Sequence, residues 1–346
     1  MNPQAKLISS FSLVLGTTLT ISSNHWIMAW AGLEINTLAI LPLIAKPHHP
    51  RAIEATTKYF LVQASASALL LLSSTINAWL TGQWDITNPT NPLPCALLTT
   101  AIAMKLGLVP FHFWFPEVLQ GSSLTTGLLL STALKLPPIA LLMLTAPSLN
   151  PTMLTTLAIA SATLGGWMGL NQTQVRKILA FSSISHLGWM VIIIIHNPKL
   201  TLLTFCLYTL ITTTIFLTLN TTKILKLSTM MTAWTKIPPL MATIMLTLLS
   251  LAGLPPLSGF LPKWLILQEL TKQEMTTMAT IIALLSLLSL FFYVRLAYCA
   301  TITLPPNSSN HMKLWQTDKK INITTSTLIS LSILLLPLSP MLLTIP

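Results

Sequence analysis

Apolar segments of membrane-spanning length recur along the whole chain, separated by short polar stretches. They fall at about 3–22, 26–45, 57–80, 95–115, 122–146, 150–170, 174–196, 199–221, 237–269, 275–302 and 324–345. A hydrocarbon core about 30 Å thick is crossed by about 20 residues of helix. Lipid offers no partner to backbone polar groups, so such segments are expected to be helical. The expected fold class is an all-α integral membrane protein with about eleven transmembrane helices. Segment 237–269 is too long for one straight span, since at about 1.5 Å per residue it would reach about 50 Å. Gly253-Leu254-Pro255-Pro256 supplies the expected break.

Only 7% of the residues are charged, against about 25% in a soluble domain. The net charge of +11 suggests nucleic acid, but topology explains it better. With eleven spans, the N-terminus and every second loop share one face. That face holds Lys6, Lys46, Arg51, Lys58, Arg176, Lys177, Lys223, Lys226, Lys236, Lys313, Lys319 and Lys320, twelve in all, and the other holds Lys199 and Lys272. The bias puts the N-terminus inside and the C-terminus outside. The sequon Asn307-Ser308-Ser309 then falls inside and is read as chance. No cleavable signal stands out near Met1. Cys95, Cys206 and Cys299 are far apart in sequence and are expected to pack as small apolar residues.

Against this apolar background, a few polar side chains stand out. Lys105 lies near the middle of the stretch 96–121, ALLTTAIAMKLGLVPFHFWFPEVLQG. A lysine at mid-bilayer costs roughly 2.5–3.5 kcal/mol on insertion scales. Gly107 and Pro110 break the helix beside it, and His112 and Glu117 follow. The combination suggests proton or ion movement; a lysine snorkelling to the interface is the alternative. Lys135 precedes Pro137-Pro138, which remove two donors and are expected to free the carbonyls near Ala133 and Leu134. A packing kink is the alternative there. Glu34 sits at mid-depth in the second span, either protonated within the bundle or paired with a lysine. Ser182 and His186 share one helix face, with Ser183 and Ser185 nearby. A proton relay and a hydrogen-bonded core histidine both fit. Lys263 follows the break at Pro262. Both broken spans read G-L-x-P-x5-P, at Gly107 and at Gly253, a faint repeat of the kind found at transporter binding sites.

Several stretches together carry a resemblance that runs the length of the chain: SSNHWIMAWAGLEINTLAILPL, HHPRAIEATTKYFLVQA, KLGLVPFHFWFPEVLQG, GGWMGLNQTQVRKILAFSSISHLGW and LTLLSLAGLPPLSGFLPKW. The chain resembles the antiporter-like proton-pumping subunits of respiratory complex I, the mitochondrial NADH:ubiquinone oxidoreductase. The resemblance implies two inverted five-helix repeats with broken helices inside one transmembrane domain. Here they would span about 26–146 and 150–302, between terminal helices at about 3–22 and 324–345. It also implies a line of charged residues at the bilayer midplane. Glu34 matches the glutamate paired with the lysine of the first broken helix, and Lys105 matches that lysine. Lys135 matches the central lysine, His186 the bridging histidine and Lys263 the lysine of the second broken helix. His112, Ser182 and Ser185 are secondary candidates.

The implied role is a core membrane-arm subunit that contributes to proton translocation and does not catalyse the redox reaction alone. No cofactor is expected in this chain; NADH, flavin, iron–sulfur clusters and ubiquinone belong to other subunits. Expected partners are other membrane-arm subunits, including neighbouring antiporter-like ones, and lipids, with no nucleic acid. The expected place is the mitochondrial inner membrane, N-terminus on the matrix side and C-terminus on the intermembrane-space side. Two other classes compete. A free-standing cation/proton antiporter would use the same lysines. A haem-bearing electron carrier would need facing axial histidines, and His112 and His186 are the mid-span ones.

Overall fold

The computed structural model describes residues 3–46, 49–87, 91–234, 238–302 and 323–339. The polar loop 303–322, with Asn307-Ser308-Ser309, Lys313, Lys319 and Lys320, lies outside them, as do Lys236 and the end of the last expected span. Among the described residues the regular structure is helical, with two isolated bridges and no strand. The helices are α1 (Pro3–Ser22), α2 (Trp26–Ile44), α3 (Pro50–Thr81), α4 (Pro92–Leu106), α5 (Trp114–Gly121), α6 (Leu124–Ser131), α7 (Leu136–Thr145) and α8 (Pro151–Gly169). They continue with α9 (Val175–Ile193), α10 (Pro198–Thr222), α11 (Leu227–Ala233), α12 (Pro238–Ala252), α13 (Phe260–Lys272), α14 (Thr276–Thr301) and α15 (Ile323–Leu334). Among the described residues, 6 segments are long and apolar enough to cross a membrane: α1, α2, α3, the stretch Leu124–Ser148, α10 and α14.

Two elements differ from the sequence reading. Helix α3 starts at Pro50 rather than near 57 and runs for 32 residues. Proline at the first helical position loses no hydrogen bond and presets φ. The helix therefore extends past its apolar stretch and lifts Arg51, Glu54 and Lys58 to an exposed end. Helix α11 lies where sequence indicated only loop. Thr229 starts it by accepting from the Lys226 N–H at 3.1 Å, a capping interaction too short-ranged to show in hydropathy.

Contacts divide the chain into two compact units, Met1–Ser161 with Met190–Pro198, and Ala162–Trp189 with Lys199–Pro346. In the first unit α2 lies between α1 and α3, and α3 carries α4 and α5 along its side. The Asn36 amide ties α2 to α1, donating to the Leu13 carbonyl at 2.9 Å and accepting from the Thr17 N–H at 3.3 Å. The second unit gathers α11, α12 and α13 on α14, and α15 on α12. Each unit also pairs two connecting segments. Residues 24–26 bond to 84–86 in the first, where His25 stacks on Trp84 at 5.5 Å. Residues 173–175 bond to 225–227 in the second. Both pairings join ends two helices apart, as alternating up-and-down helices require.

Candidate functional site

The first broken span is closed by a glycine. Gly107 follows α4 with φ 75 and ψ 39, in the left-handed region where an added Cβ is disfavoured. The N–H groups of Gly107 and Leu108 both turn back to the Ala103 carbonyl at 2.9 Å, the bond pattern of a helix C-cap. Lys105 is therefore held in the last turn of α4, 5% exposed. Its backbone carbonyl accepts from Gln63 Nε2 of α3 at 3.5 Å. Its ammonium nitrogen is buried and makes no hydrogen bond within the described residues.

Lys135 reaches the same place from another break. It ends a 3-10 turn, Ala133–Lys135, between α6 and α7. Sequence indicated that Pro137-Pro138 would free the carbonyls near Ala133 and Leu134. The turn instead gives the Ala133 carbonyl a donor, the Leu136 N–H, by tightening from i+4 to i+3 spacing. Lys135 Nζ stands over the Phe115 ring, 4.4 Å from its centroid, a cation–π geometry.

Both lysines line one small cavity, together with Asn36, Thr37, Tyr59, Gln63 and Trp114. It offers about 20 Å³ to the centre of a water-sized sphere. One water needs roughly 10–15 Å³ on that measure, and the walls supply amide, hydroxyl and ammonium partners. Glu34 is half-buried on α2 and interacts electrostatically with Lys105 and Tyr59. It makes no ion pair with Lys105 within 4.0 Å, unlike the exposed pairs Lys58–Glu54 and Lys58–Glu117. One Glu34 oxygen is buried without a hydrogen bond in the described residues. Lys105 and Lys135 thus share one cavity, while Glu34 is not among the residues lining it and acts on Lys105 through its charge. His112 is buried in the turn after Gly107, with its ring 4.2 Å from Phe113, and is not among the residues lining the cavity.

The second unit repeats the break with a different use of its lysine. Gly253 closes α12 with φ 83. The Leu254 N–H returns to the Leu249 carbonyl at 3.5 Å, the same register as Leu108 to Ala103. Lys263, on α13 beyond the break, reaches back and donates to the Ala252 carbonyl at 2.8 Å. It thereby satisfies one of the open carbonyls at the end of α12, where a cation is favoured. Its Nζ also lies 5.8 Å from the Trp189 ring centroid.

His186 lies on α9 with its ring 5.5 Å from that of Tyr208 on α10. Ser182 and Ser185 are buried beside it, but their hydroxyl protons go to their own helix, to Leu179 and Ser182 carbonyls at 2.9 and 2.7 Å. They can accept a further hydrogen bond but have no second proton to give. Gly165 of α8 packs against the Ser185 N–H so tightly that an added Cβ would come within 2.8 Å of it. The glycine, not the serine hydroxyls, lets α8 and α9 approach this closely. Among the described residues no group of three or more His, Cys, Asp or Glu could hold a metal ion.

The sequence reading missed Tyr59, Gln63, Trp114, Phe115 and Tyr208. Gln63 had a signal, an amide inside an apolar span. The aromatic residues had none, because tyrosine and tryptophan are common in apolar helices.

Comparison with known proteins gives the following. Residues 23–289 match the model described as NADH:quinone oxidoreductase/Mrp antiporter, transmembrane. Residues 290–343 match that of the NADH dehydrogenase subunit 2 C-terminus. An NADH-ubiquinone oxidoreductase chain 2 from Struthio camelus is 76% identical over 343 residues, 99% of each chain. That of Gallus gallus is 72% identical over 344 residues, again 99% of each. Among solved structures, a chain of respiratory complex I from Thermus thermophilus matches with TM-score 0.83 and 26% identity. The match covers 97% of this chain and 79% of that one. A chain of the Mrp complex from Dietzia sp. matches at TM-score 0.77 and 16% identity, covering 90% of this chain and 64% of that one, a likeness of fold alone.

Proposed function

Because the chain belongs to the NADH-ubiquinone oxidoreductase chain 2 family, it is a membrane-arm subunit of the proton-translocating NADH:ubiquinone reductase, and we propose that its buried lysines carry the protons. The observation that carries this reading is the shared cavity. Lys105 and Lys135 come from two separately broken spans and line one space with room for water. Buried amines are expensive to keep charged, and a second amine beside the first raises that cost further. The cluster therefore favours one proton over two, and a neighbouring carboxylate can decide where it sits.

Glu34 is suited to that decision. At an effective dielectric of about 20, unit charges about 7 Å apart interact by about 2.4 kcal/mol. Carrying one charge against 100 mV costs about 2.3 kcal/mol. A change in the Glu34–Lys105 separation is thus of the magnitude needed to load or release a proton. His186 and Lys263 are the candidate proton carriers within the second unit. The matching Gly107 and Gly253 caps support a reading of two inverted five-helix repeats within about eleven spans.

The chain is read as multi-pass in the mitochondrial inner membrane, N-terminus in the matrix and C-terminus in the intermembrane space. Other membrane-arm subunits and lipids surround it, and the flavin, iron–sulfur clusters, NADH and ubiquinone are held elsewhere in the complex. The full-length match to oxidoreductase chains favours this over a free-standing antiporter. Lys135→Met tests it, since an apolar side chain of similar length removes the charge and keeps the packing. In the assembled complex in proteoliposomes, protons moved per NADH should fall. Normal pumping and turnover by that variant would make Lys135 structural.

A further inference from the structure

A second, larger cavity lies beside the lysine cavity, along the same two helices. It offers about 140 Å³ to the centre of a water-sized sphere and is lined by Arg51, Glu54, Ala55 and Lys58 of α3 and Glu117, Gln120 and Gly121 of α5. Lys58 bridges Glu54 and Glu117 at 2.5 Å each, and all three are at least two-fifths exposed. Gly121 lets α5 lie directly on α3, since a Cβ there would come within 2.6 Å of the Arg51 carbonyl.

The helical register connects the two spaces. Arg51, Ala55, Tyr59 and Gln63 are four residues apart and form one ridge of α3. The first two line the outer cavity and the last two the inner. On α5, Glu117 lines the outer cavity, and Trp114, three residues earlier, lines the inner one. One helical turn, about 6 Å, separates Ala55 from Tyr59. The layer between the cavities is therefore Tyr59 with Trp114. Their rings meet edge to face at 5.6 Å, and both are buried, 2% and 7% exposed. Trp114 is fixed by its indole N–H, which donates to the Met104 carbonyl at 3.3 Å. Met104 immediately precedes Lys105, so the partition is anchored to the lysine's own turn.

We propose that Tyr59 and Trp114 form a partition between a charged vestibule and the lysine cavity, and that protons reach Lys105 from the vestibule past this pair. The proposal rests on the proton-carrying role of Lys105 and Lys135. Only a proton moves: it enters the vestibule from solvent beside the Glu54 and Glu117 carboxylates, passes the partition along water and the Tyr59 hydroxyl, and the neutral Lys105 amine takes it. The Tyr59 hydroxyl can accept and donate at the partition, which a phenyl ring cannot. The vestibule lies at the Lys58 end of α3, the face that carries the basic bias and is read as the matrix side.

The experiment uses the assembled complex in proteoliposomes and reads passive proton permeability and protons moved per NADH. Trp114→Ala should raise the permeability several-fold and lower the ratio. The added permeability should disappear when Lys105→Met is combined with it, because the opened route ends on that amine. Where Trp114→Ala does not assemble, Trp114→Phe should show a smaller rise with the same dependence on Lys105. Tyr59→Phe, which keeps the ring, should slow proton uptake several-fold without raising the leak. Glu54→Gln combined with Glu117→Gln should do the same. No added leak in the tryptophan variants, or a leak that persists with Lys105→Met, overturns the partition. Unchanged uptake in the tyrosine variant or the carboxylate double variant overturns the route. Should Lys135→Met pump normally, the proton-carrying role itself fails. With Lys135→Met impaired, these results bear on the partition and its vestibule alone.

Discussion

At the scale of single residues, the informative pair is Glu34 and Lys105. They interact electrostatically without forming an ion pair within 4.0 Å, an arrangement that a permanent stabilising bridge would not adopt. A buried charge missing its counter-charge is costly, so each residue conditions the protonation of the other. Glu34→Gln should make the charged form of Lys105 less favourable and slow its loading. Residues that act as one unit give non-additive losses. In NADH-driven proton uptake by the assembled complex, the double variant should be little worse than the worse single one. Strictly additive losses would show that the two act independently.

Lys263 makes a contrast at the same scale. Its ammonium already has an acceptor, the Ala252 carbonyl, so removing it uncovers a helix end as well as a charge. Lys263→Met should therefore lower thermal stability of the complex along with pumping, whereas Lys135→Met should affect mainly pumping. Differential scanning fluorimetry of the two purified variants, beside their proton uptake, tests this. Equal melting temperatures for Lys263→Met and the parent would remove the capping role.

At the scale of elements, the broken helices depend on two glycines in the left-handed region. An L-residue forced into that conformation costs roughly 1–2 kcal/mol. Gly107→Ala should show about that loss, because the added Cβ would meet only ordinary contacts, the nearest at 3.4 Å to Trp114. Gly253→Ala should be worse. Its Cβ would lie 2.9 Å from Lys263 Cδ and 3.0 Å from Nζ, so the lysine must shift from the α12 carbonyl. Comparing assembly and thermal stability of the two variants decides it; equal losses would mean that Lys263 moves aside freely. The glycines, the prolines and their spacing were legible in the sequence, because backbone restrictions are local. The 3-10 turn that serves the Ala133 carbonyl was not, because a proline announces a lost donor but not which neighbour replaces it.

At the scale of the whole molecule, the uneven distribution of basic residues predicts the orientation. Lys46 through Lys58 and Lys313 through Lys320 should face the matrix, with Pro346 on the opposite side. In sealed vesicles with the native matrix face inward, protease should leave 313–320 intact until the membrane is permeabilised. Cleavage without permeabilisation would reverse the topology. The paired connections at 24–26 with 84–86 and 173–175 with 225–227 support the alternation on which that reading depends.

Sequence alone determined the helical class, the places of the breaks and the charged residues of interest. Those follow from hydropathy, from backbone sterics and from the cost of charge in lipid, all of which act residue by residue. Only the tertiary structure decided what each charge meets. It put Lys105 and Lys135 on one cavity, kept Glu34 short of contact, turned Lys263 back onto a helix end and spent the serine hydroxyl protons on their own backbone. Tyr59, Gln63 and Trp114 became walls for the same reason. Which side chains share a space depends on how helices distant in sequence pack, and no local pattern encodes that.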